Sequence, residues 1–291
     1  MQPKQLCLLE LPEGPKRKRH FARLQYPIWT ENKAKLIERY LFYFVLVTKH
    51  GTYIDAFAGP QEPDKPDMWA AKLVLESKPR LLRHFHLFDK DPRKVDLLEE
   101  LKNAQAPKAR NESRREVLIH EGDFNHLLPK FIEDHPLKDT EATFCLLDQR
   151  TFECHWSSLL ALAKYKGGGM KVELFYFFAV AWFDRALANV TRNLERVTAW
   201  WGNDNWEVLK GKRPWERAEL ICKRIKDELD YESVTPFPIF DRGNRRIMYF
   251  MIHATDHEAA PNLMHRAYHH AVKPKETEDQ LRLELKELRQ S

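Results

Sequence analysis

The chain has 291 residues, of which 43% are hydrophobic, 12% aromatic and 31% charged. That apolar share excludes a disordered chain, and 10 glycines against 17 prolines exclude a collagenous or glycine-linker protein. The net charge of +5 is uneven: residues 1–24 hold six Lys/Arg against two Glu, so the remainder is close to neutral and does not by itself demand a polyanionic partner.

Residues 1–27 read as a basic arm of proline, glycine and charge, with the cluster Lys16–His20 at its centre. That cluster could hold a nucleic acid by counterion release or serve only as a solubilising tail. Thr30 is an N-cap candidate for a first helix carrying Leu36, Tyr40, Phe44 and Val47 at helical spacing, closed by His50-Gly51. Short apolar runs then alternate with helical stretches. Strands are expected at 52–57, 84–88, 117–120, 142–147 and 172–178, and helices near 68–77, 92–104, 124–134 and 156–165. Asp91 before Pro92 signs the start of the second of these helices.

The pattern changes after residue 180. Residues 181–232 form a mostly helical insertion with tryptophan at 182, 200, 201, 206 and 215. Its interleaved bases could make it a lid that stacks on unpaired bases; alternatively its tryptophans pack on the sheet. Two further runs, 234–240 and 247–255, flank Asp241–Arg245 and read as an antiparallel hairpin. A helix opening at Pro261 and a charged C-terminal helix, 272–291, complete the chain. The expected organisation is therefore an arm, a main domain over 28–271 that includes the insertion, and a terminal helix.

Strand-helix alternation argues a parallel sheet covered on both faces. Five such strands followed by an antiparallel pair match the seven-stranded, Rossmann-like sheet of class I S-adenosylmethionine (SAM) methyltransferases rather than a dinucleotide fold, which continues in parallel. Such sheets bind ligands at the carboxyl ends of their strands. Strand one ends Asp55-Ala-Phe57-Ala-Gly59-Pro-Gln61, with Phe57 and Gln61 where the commoner methyltransferase motif has glycine. Asp55, Phe57 and Gly59 are expected to shape the methionine side of a SAM pocket. Asp89 is expected to take the ribose diol, with Asp91 as a helix cap. Asp123 either accepts from the adenine amino group or caps the following helix, and Phe124 could pack on the ring. Asp148 and Gln149, at the fourth tip, are the candidates to face the methyl acceptor, without the Pro-Pro that amino-methyltransferases carry there. Lys33, on the helix before strand one, could approach the SAM carboxylate.

Four widely spaced cysteines with no C-x-x-C pair, no amino-terminal apolar segment, and a longest apolar run of ten residues (Leu174–Phe183) predict a cytoplasmic protein with no disulfide framework and no membrane partner. Cys154-His155 invites a metal reading, as does a hydrolase trio of Asp148, Glu153 and His155, but the ligand spacing is poor and no metal is expected.

Five strings resemble the three-Cys-motif partner protein family (TcmP) across roughly residues 26–270. They are Trp29-Thr-x-x-Lys33-x-x-x-Ile-x-x-Tyr40-Leu, Tyr53-Ile-Asp-Ala-Phe-Ala-Gly-Pro60, Leu147-Asp-Gln-Arg-Thr-Phe-Glu-Cys154-x-Trp156, Lys171-Val-Glu-Leu-Phe-Tyr-Phe177 and Tyr249-Phe-x-Ile-His-Ala-Thr-Asp256. The resemblance implies a methyltransferase-like fold and association with a radical-SAM-like protein that carries a three-cysteine motif. The function expected is SAM-dependent methylation of RNA or DNA. A non-catalytic partner or nucleic-acid-binding protein on the same fold is the alternative.

Overall fold

A computed structural model describes residues 33–105, 115–181, 183–188, 194–241 and 246–272. The expected cap at Thr30, the basic arm, Trp182, hairpin-turn residues 242–245 and the C-terminal helix beyond 272 lie outside these residues.

Seven strands form one sheet: β1 (Thr52–Asp55), β2 (His84–Asp89), β3 (Glu116–Glu121), β4 (Thr143–Leu147), β5 (Glu173–Ala179), β6 (Ser233–Phe240) and β7 (Ile247–Thr255). Their order is β3-β2-β1-β4-β5-β7-β6. The first five are parallel, and β7 runs antiparallel to both β5 and β6. This is the class I methyltransferase-like sheet that the order of apolar runs predicts. β1 stops two residues before the expected Phe57, because the chain leaves the strand to cross toward β2, where the Ala58 N–H donates to the Phe88 carbonyl at 2.7 Å.

The central strands are buried on both faces, so β4 and β5 are near-continuous apolar runs whose alternate residues enter opposite cores. Leu174, Tyr176 and Phe178 of β5 enter one core, and Phe175, Phe177 and Ala179 the other. One face is covered by α1 (Lys33–Thr48), α2 (Ala70–Glu76), α3 (Pro92–Asn103) and α9 (Ala260–Val272). The other is covered by α4 (Phe124–Asp134), α5 (Trp156–Ala163) and the insertion helices α6 (Phe183–Ala188), α7 (Leu194–Trp201) and α8 (Pro214–Leu229).

Two local expectations are corrected. The stop of α1 is Lys49, which takes a left-handed φ of 64° and donates its N–H to Val45. Gly51 serves packing instead: a Cβ there would lie 2.9 Å from the Phe44 ring and 3.0 Å from the Ala142 carbonyl. Val47, expected on the inner face, is 48% exposed in the last turn.

The insertion is a layer of the core. Trp200, Trp201 and Trp206 are buried, and the Trp200 indole N–H donates to the Tyr176 hydroxyl at 2.6 Å. The Arg224 guanidinium lies 3.9 Å from the Trp156 ring centre and 4.2 Å from that of Trp201. Arg217 is buried against Asp184. These three tryptophans have no free face for a nucleobase, so the base-stacking reading of this segment does not hold for them.

At the outer edge, the backbone groups of β6 alternate in direction. Pro236 and Pro238 have no N–H to give to the β7 ladder, which places their main-chain positions on the side away from β7. The Pro238 carbonyl accepts the Tyr268 hydroxyl of α9 at 2.6 Å.

Near the other edge, His86 of β2 and His120 of β3 lie 3.3 Å apart through Nδ1 and Nε2, with the His135 ring 4.9 Å from that of His86. Burial, with the neighbouring histidines adding to it, lowers the His86 pKa to about 3 and that of His120 to about 4. Both are depressed from the unfolded value near 6.5, so their contribution is present above that pH and lost as pH falls toward 4 and 3. His86 alone is expected to cost about 2 kcal/mol of stability at pH 5. Urea midpoints at pH 7.5, 6 and 5 should fall less steeply for His86→Phe than for the native chain. An unchanged slope would place the acid sensitivity elsewhere.

Candidate functional site

The carboxyl ends of β1 to β4 open on a cleft of about 350 Å³. Gly59, Asp89, Gly122, Asp123 and Asp148 line it, with Phe57 and Phe124 as its apolar wall.

Asp89 ends β2 and is 8% exposed. Its Oδ2 accepts the Gly59 N–H at 3.0 Å and its Oδ1 accepts the Asp91 N–H at 2.9 Å. Each oxygen keeps a further lone pair. The glycine is required by this contact, since a Cβ at Gly59 would fall 2.5 Å from Asp89 Oδ2 and 2.6 Å from Lys94 Cβ. Gly122, which the sequence reading passed over, also bends the chain here, at φ 141°, and donates its N–H to the Asp89 carbonyl at 3.0 Å.

Asp123 does cap α4: its Oδ1 accepts from the Asn125 N–H at 2.9 Å and from its side-chain amide at 2.8 Å. No hydrogen bond engages its Oδ2 among the described residues. Phe124 is buried edge-on against Phe88, 5.1 Å between ring centres. Asp91 caps α3 through the Arg93 N–H.

Asp55 is placed differently from expectation. It is 1% exposed and lies behind the wall, accepting from the Tyr53 hydroxyl at 2.8 Å and the Phe57 N–H at 3.1 Å. Burial, opposed by those two bonds, raises its pKa to about 7. It shapes the turn over the cleft rather than the ligand surface.

The fourth tip holds a pairing across 115 residues. The Lys33 ammonium sits 2.7 Å from both Asp148 oxygens, and lies 4.8 Å from the Phe177 ring centre and 5.3 Å from that of Tyr249. Lys33 is outside the cleft wall and Asp148 is part of it. Gln149 is also outside. Its Nε2 donates to the Phe177 carbonyl, and its Oε1 accepts the N–H groups of Glu153 and Cys154. It braces the loop after β4 and has no group left to face an acceptor. Asn125 and Arg196 tie the same loop down, through the Glu153 carbonyl and through the Thr151 and Phe152 carbonyls respectively.

The members of the hydrolase trio have separate partners. Asp148 pairs with Lys33, Glu153 lies near Lys90 and Arg196, and the His155 N–H donates to Asn125. Among the described residues, no three His, Cys, Asp or Glu side chains are placed to hold a metal ion. Cys145, Cys154 and Cys222 are free and buried. No described helix is long and apolar enough to cross a membrane.

Strand order and a cleft at the tips of β1 to β4 define a class I methyltransferase-like fold. No protein-family model and no curated protein matches the chain. Among solved structures it is similar to the methyltransferase domain of bacterial CtHen1, at 11% identity and a TM-score of 0.42, over 77% of this chain and 99% of that one. It is also similar to the DszA carbon methyltransferase, at 14% identity and a TM-score of 0.43, over 77% of this chain. The match spans about half, 53%, of that chain.

Proposed function

We propose that the protein binds S-adenosylmethionine in this cleft and transfers its methyl group to a nucleic acid. The observation that carries the reading is Asp89. Its two oxygens are held by backbone N–H groups from two different turns, and both retain lone pairs at the cleft wall. A vicinal diol needs that arrangement of acceptors. The free Oδ2 of Asp123 suits an adenine amino group, and Phe57 and Phe124 supply an apolar wall.

The cofactor supplies an electrophilic methyl group on a sulfonium. The chain's part is to exclude water and hold the acceptor in line. Asp148, pinned by Lys33, remains a hydrogen-bond acceptor that can orient an amine or hydroxyl. A polyanionic acceptor is supported by the bases around the mouth, Lys90, Arg93 and Lys94. The family resemblance supports association with a radical-SAM-like three-Cys-motif protein. One observation favours the non-catalytic alternative: Asp148 is ion-paired and Gln149 fully engaged, which leaves few groups for an acceptor.

Titration calorimetry with S-adenosylhomocysteine tests the site. The native chain should bind with a roughly micromolar Kd, about −8 kcal/mol. Asp89→Ala, checked for an intact thermal transition, should weaken binding about tenfold to hundredfold, as expected for loss of hydrogen bonds to a charged group. Absence of heat and of thermal shift at saturating ligand would remove the cofactor reading. Cofactor binding without transfer of labelled methyl to RNA or DNA, alone or with the three-Cys protein, would select the non-catalytic alternative.

A further inference from the structure

The cofactor's amino-acid moiety carries a carboxylate, and a desolvated carboxylate needs a cation or several donors. Lys33, the sequence candidate, is committed to both oxygens of Asp148 and stands outside the cleft wall. Four bases belong to the wall. Lys90 has Glu153 at 3.6 Å, Arg93 has Asp91 at 2.9 Å, and Lys94 has Asp89 at 3.9 Å. Arg150 is the wall base with no carboxylate at ion-pair distance among the described residues.

Its position is well fixed at the root. The Arg150 N–H donates to Glu153 Oε2 at 2.9 Å, and the loop that carries it is braced by Gln149 on one side and Arg196 on the other. It lies two residues beyond Asp148, on the acceptor side of the nucleoside acids. Arg150 lines the cleft together with Asp148.

We propose that Arg150, rather than Lys33, receives the carboxylate of the cofactor's amino-acid moiety. The proposal rests on the SAM reading above. A planar guanidinium can take a carboxylate by two parallel hydrogen bonds, which fixes orientation as well as charge.

The test compares two ligands that share a nucleoside. S-adenosylhomocysteine carries the carboxylate, and 5′-methylthioadenosine lacks the amino-acid end. Calorimetry on the native chain, Arg150→Gln and Arg150→Lys, at protein concentrations that read millimolar binding, gives six affinities. Arg150→Gln should weaken S-adenosylhomocysteine about tenfold to hundredfold and leave 5′-methylthioadenosine within twofold. Arg150→Lys should fall between. Equal effects on both ligands, or no effect on either, overturn the assignment. An unchanged S-adenosylhomocysteine affinity combined with weaker binding of an RNA oligonucleotide would give Arg150 to an acceptor phosphate instead, and so overturns it too. If the native chain binds neither nucleoside, the SAM reading itself has failed, a result that involves no variant.

Discussion

Lys33→Met is expected to destabilise the fold by about 3–5 kcal/mol, and Asp148→Leu by a similar amount, because each strands its partner's charge in a buried place. The two side chains are only 8% and 13% exposed. Changing both together removes the pair without leaving a bare charge, so Lys33→Met/Asp148→Leu should lose far less than the two single losses combined. Urea unfolding of the four proteins completes the cycle. Additive losses, or single losses under about 1 kcal/mol, would show that the contact is solvated and energetically idle. The cycle also affects how activity data are read. A dead Asp148→Ala variant loses a hydrogen-bond acceptor and a structural pin at once, so its cofactor affinity and unfolding midpoint have to accompany its rate.

Glu173→Ala is expected to cost about 3–6 kcal/mol, since it leaves three buried groups unsatisfied at about 1–3 kcal/mol each, with partial relaxation. The Glu173 carboxylate is 6% exposed at the start of β5. It accepts the Tyr40 hydroxyl of α1, takes His253 Nε2 at 2.7 Å, and accepts the Thr255 hydroxyl at 3.3 Å. At about 2–4 °C per kcal/mol for a chain of this order of size, the melting temperature should fall by about 10 °C or more. This network sits at the end of β5 opposite the cleft, so the protein that remains folded should bind S-adenosylhomocysteine with native affinity. A shift of only a degree or two would mean that water replaces the carboxylate.

The two networks change the meaning of four of the five sequence strings. Lys33 and Tyr40 come from the first, Asp148 from the third, Glu173 and Phe177 from the fourth, and Tyr249, His253 and Thr255 from the fifth. The structure gathers them into two clusters, Lys33–Asp148–Phe177–Tyr249 at the cleft end of β5 and Tyr40–Glu173–His253–Thr255 at the far end. Lys33 and Tyr40 are two turns apart on one face of α1. These strings therefore record where α1 is fastened to the sheet as much as they record a binding site.

The strand tips were legible because their signal is local. An apolar run followed by an acid, a turn and a helix start places Asp89, Asp123 and Asp148 at the tips of β2, β3 and β4. Side-chain partners separated by more than 100 residues leave no such trace. Nothing near Lys33 signals Asp148, and nothing near Glu173 signals Tyr40. Asp55 obeys every local rule for a tip residue, yet the Tyr53 hydroxyl and the Phe57 N–H turn its carboxylate inward. In the insertion, aromatic content alone left two readings open, because composition carries no direction. Trp200, Trp201 and Trp206 turn into the core, whereas Arg185, Arg196, Lys210, Lys212 and Arg213 stay at the surface. Arg150, which lines the cleft, is a base two residues past a strand-tip acid and was not among the sequence candidates.

The outward face of β6 constrains how this protein can meet any other. Proline at 236 and 238 removes two donors from the open side of the strand, and the acceptor at 238 is already taken by Tyr268. An eighth strand from a partner, or from a second copy, would find few main-chain groups to pair with at this end of the sheet. Among the described residues, this edge therefore favours docking through side chains of α8, α9 and the strand ends over extension of the sheet.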